Sequence, residues 1–356
     1  MAETELPAEN PITTLSAFLE HSGAKYQVFD MGRRVAKLSN EGFDQFERGH
    51  QPYPYPLQRH AIFGVIFWDP QQPDNRYVWF LKLPLDEQGL LIPQARDAFL
   101  VMLLERVGES MLAATDGQKI DGALKDSPYT FTPREEKMAA FNALATYHLT
   151  LPPSPYFDTA YQYFTGQTDA DHWQNLAMQG VADVAVRLNG PDELQGLIQS
   201  LPNLPDVPFQ TLCNFLECAQ PAINLLEQLS QLLATELQKQ EPNSANVMAC
   251  LRAASNSPAQ GLLAGMVEQT LKHDCSRDID ILAVIGGRCW TVLKQLHLAN
   301  LYCEQLALNN AGQPGFSQLL ADLLYMPELR EPVMQALRSK ERSNALAIAV
   351  GEMFGK

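Results

Sequence analysis

From Pro133 to Met353 the chain carries one short apolar-periodic segment after another and almost no strand signal, and this succession limits the possible folds more than any other feature. The segments fall at 133–148, 156–164, 170–188, 192–200, 209–218, 222–238, 245–254, 259–271, 279–296, 299–308, 316–324, 331–339 and 344–353. Each has the spacing of an amphipathic helix. The breaks are short and made of helix stop signals, such as Asn189-Gly190-Pro191, Pro202-Asn203-Leu204-Pro205 and Asn309-Asn310-Ala311-Gly312. Short breaks make consecutive helices antiparallel neighbours. The pattern predicts either a HEAT-like stack of helix pairs or an irregular all-α bundle. No consensus residue recurs at a fixed period to choose between them.

The first 125 residues mix periods and predict a small α+β domain. Thr13 or Thr14 caps a helix carrying Leu15, Phe18 and Leu19, and Gly23 ends it. Tyr26–Asp30, the turn Met31-Gly32 and Arg33–Leu38 read as a β-hairpin, with Gly32 free to take a positive φ. A short helix from Asn40 sets Phe43 and Phe46 on one face, and the extended string Pro52-Tyr53-Pro54-Tyr55-Pro56 follows. Ala61–Trp68 and Arg76–Leu83, rich in aromatic and β-branched residues, complete a four-stranded antiparallel sheet. A helix over 93–112 would cover it. The polar, aperiodic 113–128 marks the boundary, so the predicted domains are 1–125 (α+β) and 126–356 (all-helical).

The chain has 41 acidic and 26 basic residues, for a net charge of −15, and 46% of its 356 residues are apolar. This is the composition of a folded protein. Between Met138 and Leu251 the only basic residues are Arg187 and Lys239, against eleven acidic ones, so nucleic acid would be repelled there. Arg330, Arg338, Lys340 and Arg342 near the end form a basic cluster, read as a solvated face or a seat for an acidic partner. No apolar run approaches the roughly 20 residues of a membrane span, and the acidic N-terminus lacks a signal-peptide pattern. Six cysteines lie inside helical patterns with no C-x-x-C pair, as expected of buried cytoplasmic thiols.

No catalytic motif emerges. Phosphate-binding loops, a nucleophile elbow and H-E-x-x-H are missing. Gly286-Gly287 sits in an apolar helical pattern and reads as a close-packing or kink site. His273-Asp274 reads as a polar turn, since no matching upstream His or later Asp completes a metal phosphohydrolase set. No metal or cofactor is predicted. The most individual strings are Asp30-Met31-Gly32-Arg33-Arg34 and Pro52–Leu57. The first is either a turn with exposed arginines or an arginine pair that binds a carboxylate or phosphate. In the second, the tyrosines either pack on the sheet or form a recognition ridge.

These strings carry a resemblance. T-L-S-x-F-L at the start, Val28–Arg34 and Pro52–Leu57 leading into Phe67-Trp68 resemble an uncharacterised gammaproteobacterial family classed as a domain of unknown function. The resemblance spans nearly the whole chain and implies a cytoplasmic bacterial protein. It transfers no activity and no catalytic residue. The leading expectation is a non-enzymatic interaction protein, an adaptor or scaffold, that binds another protein through Arg33, Arg34, Tyr53 and Tyr55 and the helical surface. The alternatives are an enzyme of unfamiliar type, with Arg33, His60 and His148 around an inter-domain pocket, or a structural subunit of a larger assembly.

Overall fold

The structure is a computed structural model that describes residues 12–108, 122, 124, 126–188 and 190–355. The N-terminal eleven residues, the end of the 93–112 helix and most of the expected boundary segment lie outside the described residues. Two compact units are present: Met1–Gly32 with Lys37–Thr132, and Arg33–Ala36 with Pro133–Lys356.

The first unit is built on an antiparallel sheet of order β2-β1-β3-β4, with β1 Lys25–Asp30, β2 Ala36–Leu38, β3 His60–Trp68 and β4 Arg76–Pro84. In β3, Phe63, Val65 and Phe67 alternate on one fully buried face, while Ile62 and Trp68 on the other are half-buried. Helix α1 (Leu15–His21) starts where the Thr14 hydroxyl accepts the Ala17 N–H, and Gly23 follows it at φ +72°. Helix α2 (Asn40–Glu47) is capped by Ser39 and brings Phe43 against Phe63, with ring centres 4.9 Å apart. Helix α3 (Pro93–Val107) packs on β4, and Lys82 of that strand donates its N–H to Tyr129 O.

Two expectations for the hairpin are corrected. Gly32 does not have a positive φ; its N–H donates to Asp30 Oδ1 at 3.2 Å, and a Cβ there would press on that same oxygen. The second strand does not begin at Arg33. Arg33, Arg34 and Val35 leave the sheet, and pairing resumes at Ala36.

The second unit is helical. Its helices are α4 Glu135–His148, α5 Phe157–Phe164, α6 Met178–Arg187, α7 Pro191–Ser200, α8 Asp206–Leu216, α9 Ile223–Leu237, α10 Ser244–Ala254, α11 Gln260–Leu271, α12 Ile279–Arg288, α13 Leu296–Ala307, α14 Gly312–Tyr325, α15 Pro327–Leu337 and α16 Asn344–Phe354. Each packs on the next but one: α4, α6, α8, α10, α12, α14 and α16 form one layer, and α5, α7, α9, α11, α13 and α15 the other. Side-chain hydrogen bonds tie successive members of a layer. They join residues 35 to 40 positions apart, such as Gln179 to Ala139 O, Gln210 to Asn246, Arg252 to Glu217 and Gln313 to Ala349 O.

Two of the expected helices are broken. Residues 170–188 form a 3₁₀ segment, Ala170–Asn175, before α6, because nothing in 170–175 is buried to hold an α-helix in place. Likewise 279–296 ends as α12 at Arg288. Trp290, Val292 and Leu293 then bury themselves in a 3₁₀ turn, Trp290–Lys294, that leads into α13.

Candidate functional site

The four residues singled out by sequence fall into two places. Arg33 and Arg34 belong to the helical unit, and neither faces solvent as a turn arginine would: Arg33 is 1% exposed and Arg34 5%. Arg33 presents its guanidinium fork to Asp322 on α14, with both Nη atoms 2.8 Å from carboxylate oxygens. Such a planar two-point pair suits arginine and not lysine. Arg34 reaches the C-terminal ends of α10 and α12. It donates to Asn256 Oδ1 at 2.8 Å and to Ser255 Oγ and Arg288 O at 3.0 Å, and it lies 5.0 Å from the centre of the Trp290 ring. A cation at helix C-termini meets the negative end of the helix dipole. Burial pulls the Arg34 guanidinium below its ordinary pKa, an effect opposed by the nearby Glu217 carboxylate.

Tyr53 and Tyr55 lie in the sheet unit, at a cavity of about 390 Å³. Phe43, Phe46, Tyr53, Lys37, Ser39, Gln51 and Tyr55 are among the residues that line it. The Pro52–Tyr55 string is not fully extended: it bends at Pro54 and Tyr55, and the Tyr53 N–H donates to Gly89 O at 2.9 Å. Tyr53 is a core residue: its hydroxyl donates to Asp30 Oδ1 at 2.9 Å, and its ring packs 5.0 Å from Phe46. Burial and the adjacent Asp30 push its phenol well above the ordinary value. Tyr55 is half-buried. The structure therefore brings the two tyrosines together and assigns the two arginines to a different unit.

Sequence reading missed the partners that hold the arginines. Asp322 is 289 residues from Arg33, and no local pattern marks it. Glu217, Arg252 and Arg288 form a second charged group beside Arg34. Glu217 Oε2 accepts Arg252 Nε at 2.7 Å and Arg288 Nε at 3.0 Å. Burial alone would raise the Glu217 carboxyl, but Arg288, Arg252 and Arg34 outweigh it and hold it below the usual range. A signal was available: charged residues 35 and 71 positions after Glu217, each inside an otherwise apolar helical pattern.

Other candidates resolve into local structure. His273 Nδ1 accepts the Cys275 N–H at 3.1 Å and so caps a 3₁₀ turn. Burial pushes the Cys218 and Cys289 thiols up to about 12. Among the described residues no three His, Cys, Asp or Glu side chains come together as metal ligands would, and no helix is long and apolar enough to cross a membrane.

These features define a class of protein, a small aromatic antiparallel sheet followed by a two-layered helical stack that seats a non-helical arginine-bearing segment. Comparison with known families places it further. The family described as protein of unknown function (DUF3549) matches residues 10–354, and the chain belongs to that family. No curated protein and no solved structure matches it.

Proposed function

We propose that the protein is a non-enzymatic interaction protein of the bacterial cytoplasm, an adaptor or scaffold, whose helical unit is a HEAT-like solenoid that holds an extended segment of another protein. The observation that carries this reading is the seat of Arg33–Ala36. Three successive members of one layer, α10, α12 and α14, contribute partners to a short non-helical stretch of chain. A stack that recognises one non-helical segment by a carboxylate fork and a helix-end carbonyl has the chemistry to recognise another. Stacking of each helix on the next but one, with ties 35 to 40 residues apart, supports a repeating unit of one helix pair. The acidic excess between residues 138 and 251 favours a protein partner over nucleic acid. On the sheet unit, Tyr55 and the adjoining cavity are the candidate contact.

The test is purification of the tagged protein at native level from its own host after chemical crosslinking. Because 138–251 holds a single lysine, Lys239, the crosslinker must react with carboxylates. A stoichiometric protein crosslinked to the helical unit is the expected result. A chain that runs alone as a monomer, with no crosslinked companion, would remove the adaptor reading.

A further inference from the structure

Glu217 caps the end of α8, Arg252 lies in the last turn of α10, and Arg288 ends α12, so three successive helices of one layer bring these side chains to one place. Both arginines use Nε to reach the same carboxylate oxygen, at 2.7 and 3.0 Å, so those two nitrogens are no more than about 6 Å apart. Two like charges at that distance repel, and one carboxylate neutralises only one of them.

Donors also outnumber acceptors. Each guanidinium carries five N–H groups. Beyond Glu217, the only further acceptor for either side chain among the described residues is Gly287 O, which takes Arg288 Nη1 at 3.2 Å. Among the described residues no acceptor takes either Nη of Arg252 or the Nη2 of Arg288. The side chains have access to solvent, being 28% and 23% exposed, while Glu217 between them is buried.

We infer that Arg252 and Arg288, held side by side by Glu217, form a binding site for an oxoanion, a phosphate or carboxylate group. The planar guanidinium edge matches two oxygens of such a group, and the local charge excess supplies the attraction. The ligand bears a single anionic group. The eleven acidic residues spread over 138–251 set up a negative field that repels a polyanion, whereas a close two-point contact acts at short range. This inference does not depend on the adaptor reading. It contrasts with the ordinary role of arginines in a last helical turn, which is to meet the helix dipole while solvated.

Isothermal titration calorimetry on the full chain tests it, with inorganic phosphate and acetate as probes and sodium chloride holding ionic strength constant. Saturable binding of either oxoanion is the expected result, and the tighter of the two identifies the ligand group. The double variant Arg252→Lys with Arg288→Lys keeps both charges and their pairing with Glu217 but removes the forks. It should bind about tenfold more weakly or worse, with an unchanged unfolding temperature. Glu217→Gln removes the competing charge and should tighten binding severalfold; should it fail to fold, the lysine pair decides alone. No saturable heat beyond the chloride control, or equal affinity in the double-lysine variant, would overturn the proposal.

Discussion

Two buried glutamates, one in each unit, are held in opposite ways. In the sheet unit, the Glu47 carboxylate accepts, among the described residues, only from neutral donors: the Leu15 and Ser16 N–H groups at 2.8 and 3.0 Å and the Ser16 hydroxyl at 2.5 Å. These donors tie the end of α2 to the first turn of α1, yet burial still pushes the Glu47 carboxyl up to about 7. In the helical unit, Glu217 is similarly buried but accepts from two arginines, and its carboxyl is held below the usual range. Degree of burial does not decide the charge state of an interior acid; the charge on its donors does. The sheet unit thus keeps an acid ready to take up a proton near neutral pH, while the helical unit locks its acids into ion pairs.

The strongest way to break the contrast is to remove an acid from an ion pair. Asp322→Ala removes the carboxylate that takes both Nη atoms of the buried Arg33, and breaking such a pair costs up to about 3–5 kcal/mol. The expected outcome is a lower urea midpoint for the helical unit and new tryptic cleavage at Arg33 and Arg34. Resistance to trypsin equal to that of the parent would show that Asp322 does not hold the segment.

Glu47 offers the next largest effect, and its sign is the reverse of the usual carboxylate. The folded-state pKa of about 7 exceeds the ordinary 4.5, so between those values folding takes up a proton. Stability is therefore greatest below 4.5 as far as this group is concerned, falls as pH rises toward 7, and has lost roughly 3 kcal/mol above it. Glu47→Gln should abolish that part of the pH dependence. Hydrogen exchange of α1 and β1 amides at pH 5 and pH 8 reads it: the parent should lose protection between the two far more than the variant. Parallel losses would mean that Glu47 stays ionised throughout.

How far sequence could anticipate this arrangement depended on the range of the interactions. The Thr14 cap, the Gly23 stop, the alternation in β3 and the turns between helices are set by neighbours a few residues away, and all are legible. Arg33–Leu38 reads as a strand because it follows Tyr26–Asp30 directly across the Met31-Gly32 turn. What pulls Arg33 and Arg34 out of the sheet lies 221 to 289 residues further on. The same limit applies to 279–296, whose apolar content is continuous. The break after Arg288 comes from the need to bury Trp290, Val292 and Leu293 while the chain passes from one layer to the other. Glu47 and Glu217 look alike as glutamates at the ends of amphipathic helices, and only their donors distinguish them.

The smallest effects come from the adjacent glycines of α12, which sharpen the contrast at the level of packing. Tyr302 of α13 is fully buried and, like Glu47, has a neutral partner, donating its hydroxyl to Leu282 O at 3.0 Å. A Cβ on Gly286 would lie 2.7 Å from that hydroxyl oxygen and 3.3 Å from the ring carbon that bears it, so the ring must shift and its hydrogen bond to Leu282 O with it. Gly286→Ala should therefore cost about 1–3 kcal/mol by overpacking, seen as a lower unfolding midpoint of the helical unit. Next to it, a Cβ on Gly287 meets nothing within 4 Å. Gly287→Ala should raise the midpoint slightly, by up to about 1 kcal/mol, because alanine loses less backbone freedom than glycine on entering a helix. Opposite signs at neighbouring positions are the signature of layers in contact at Tyr302. If both variants were stabilising, α12 would not be packed closely against α13 there, and the Gly286 site would be one of helix propensity alone.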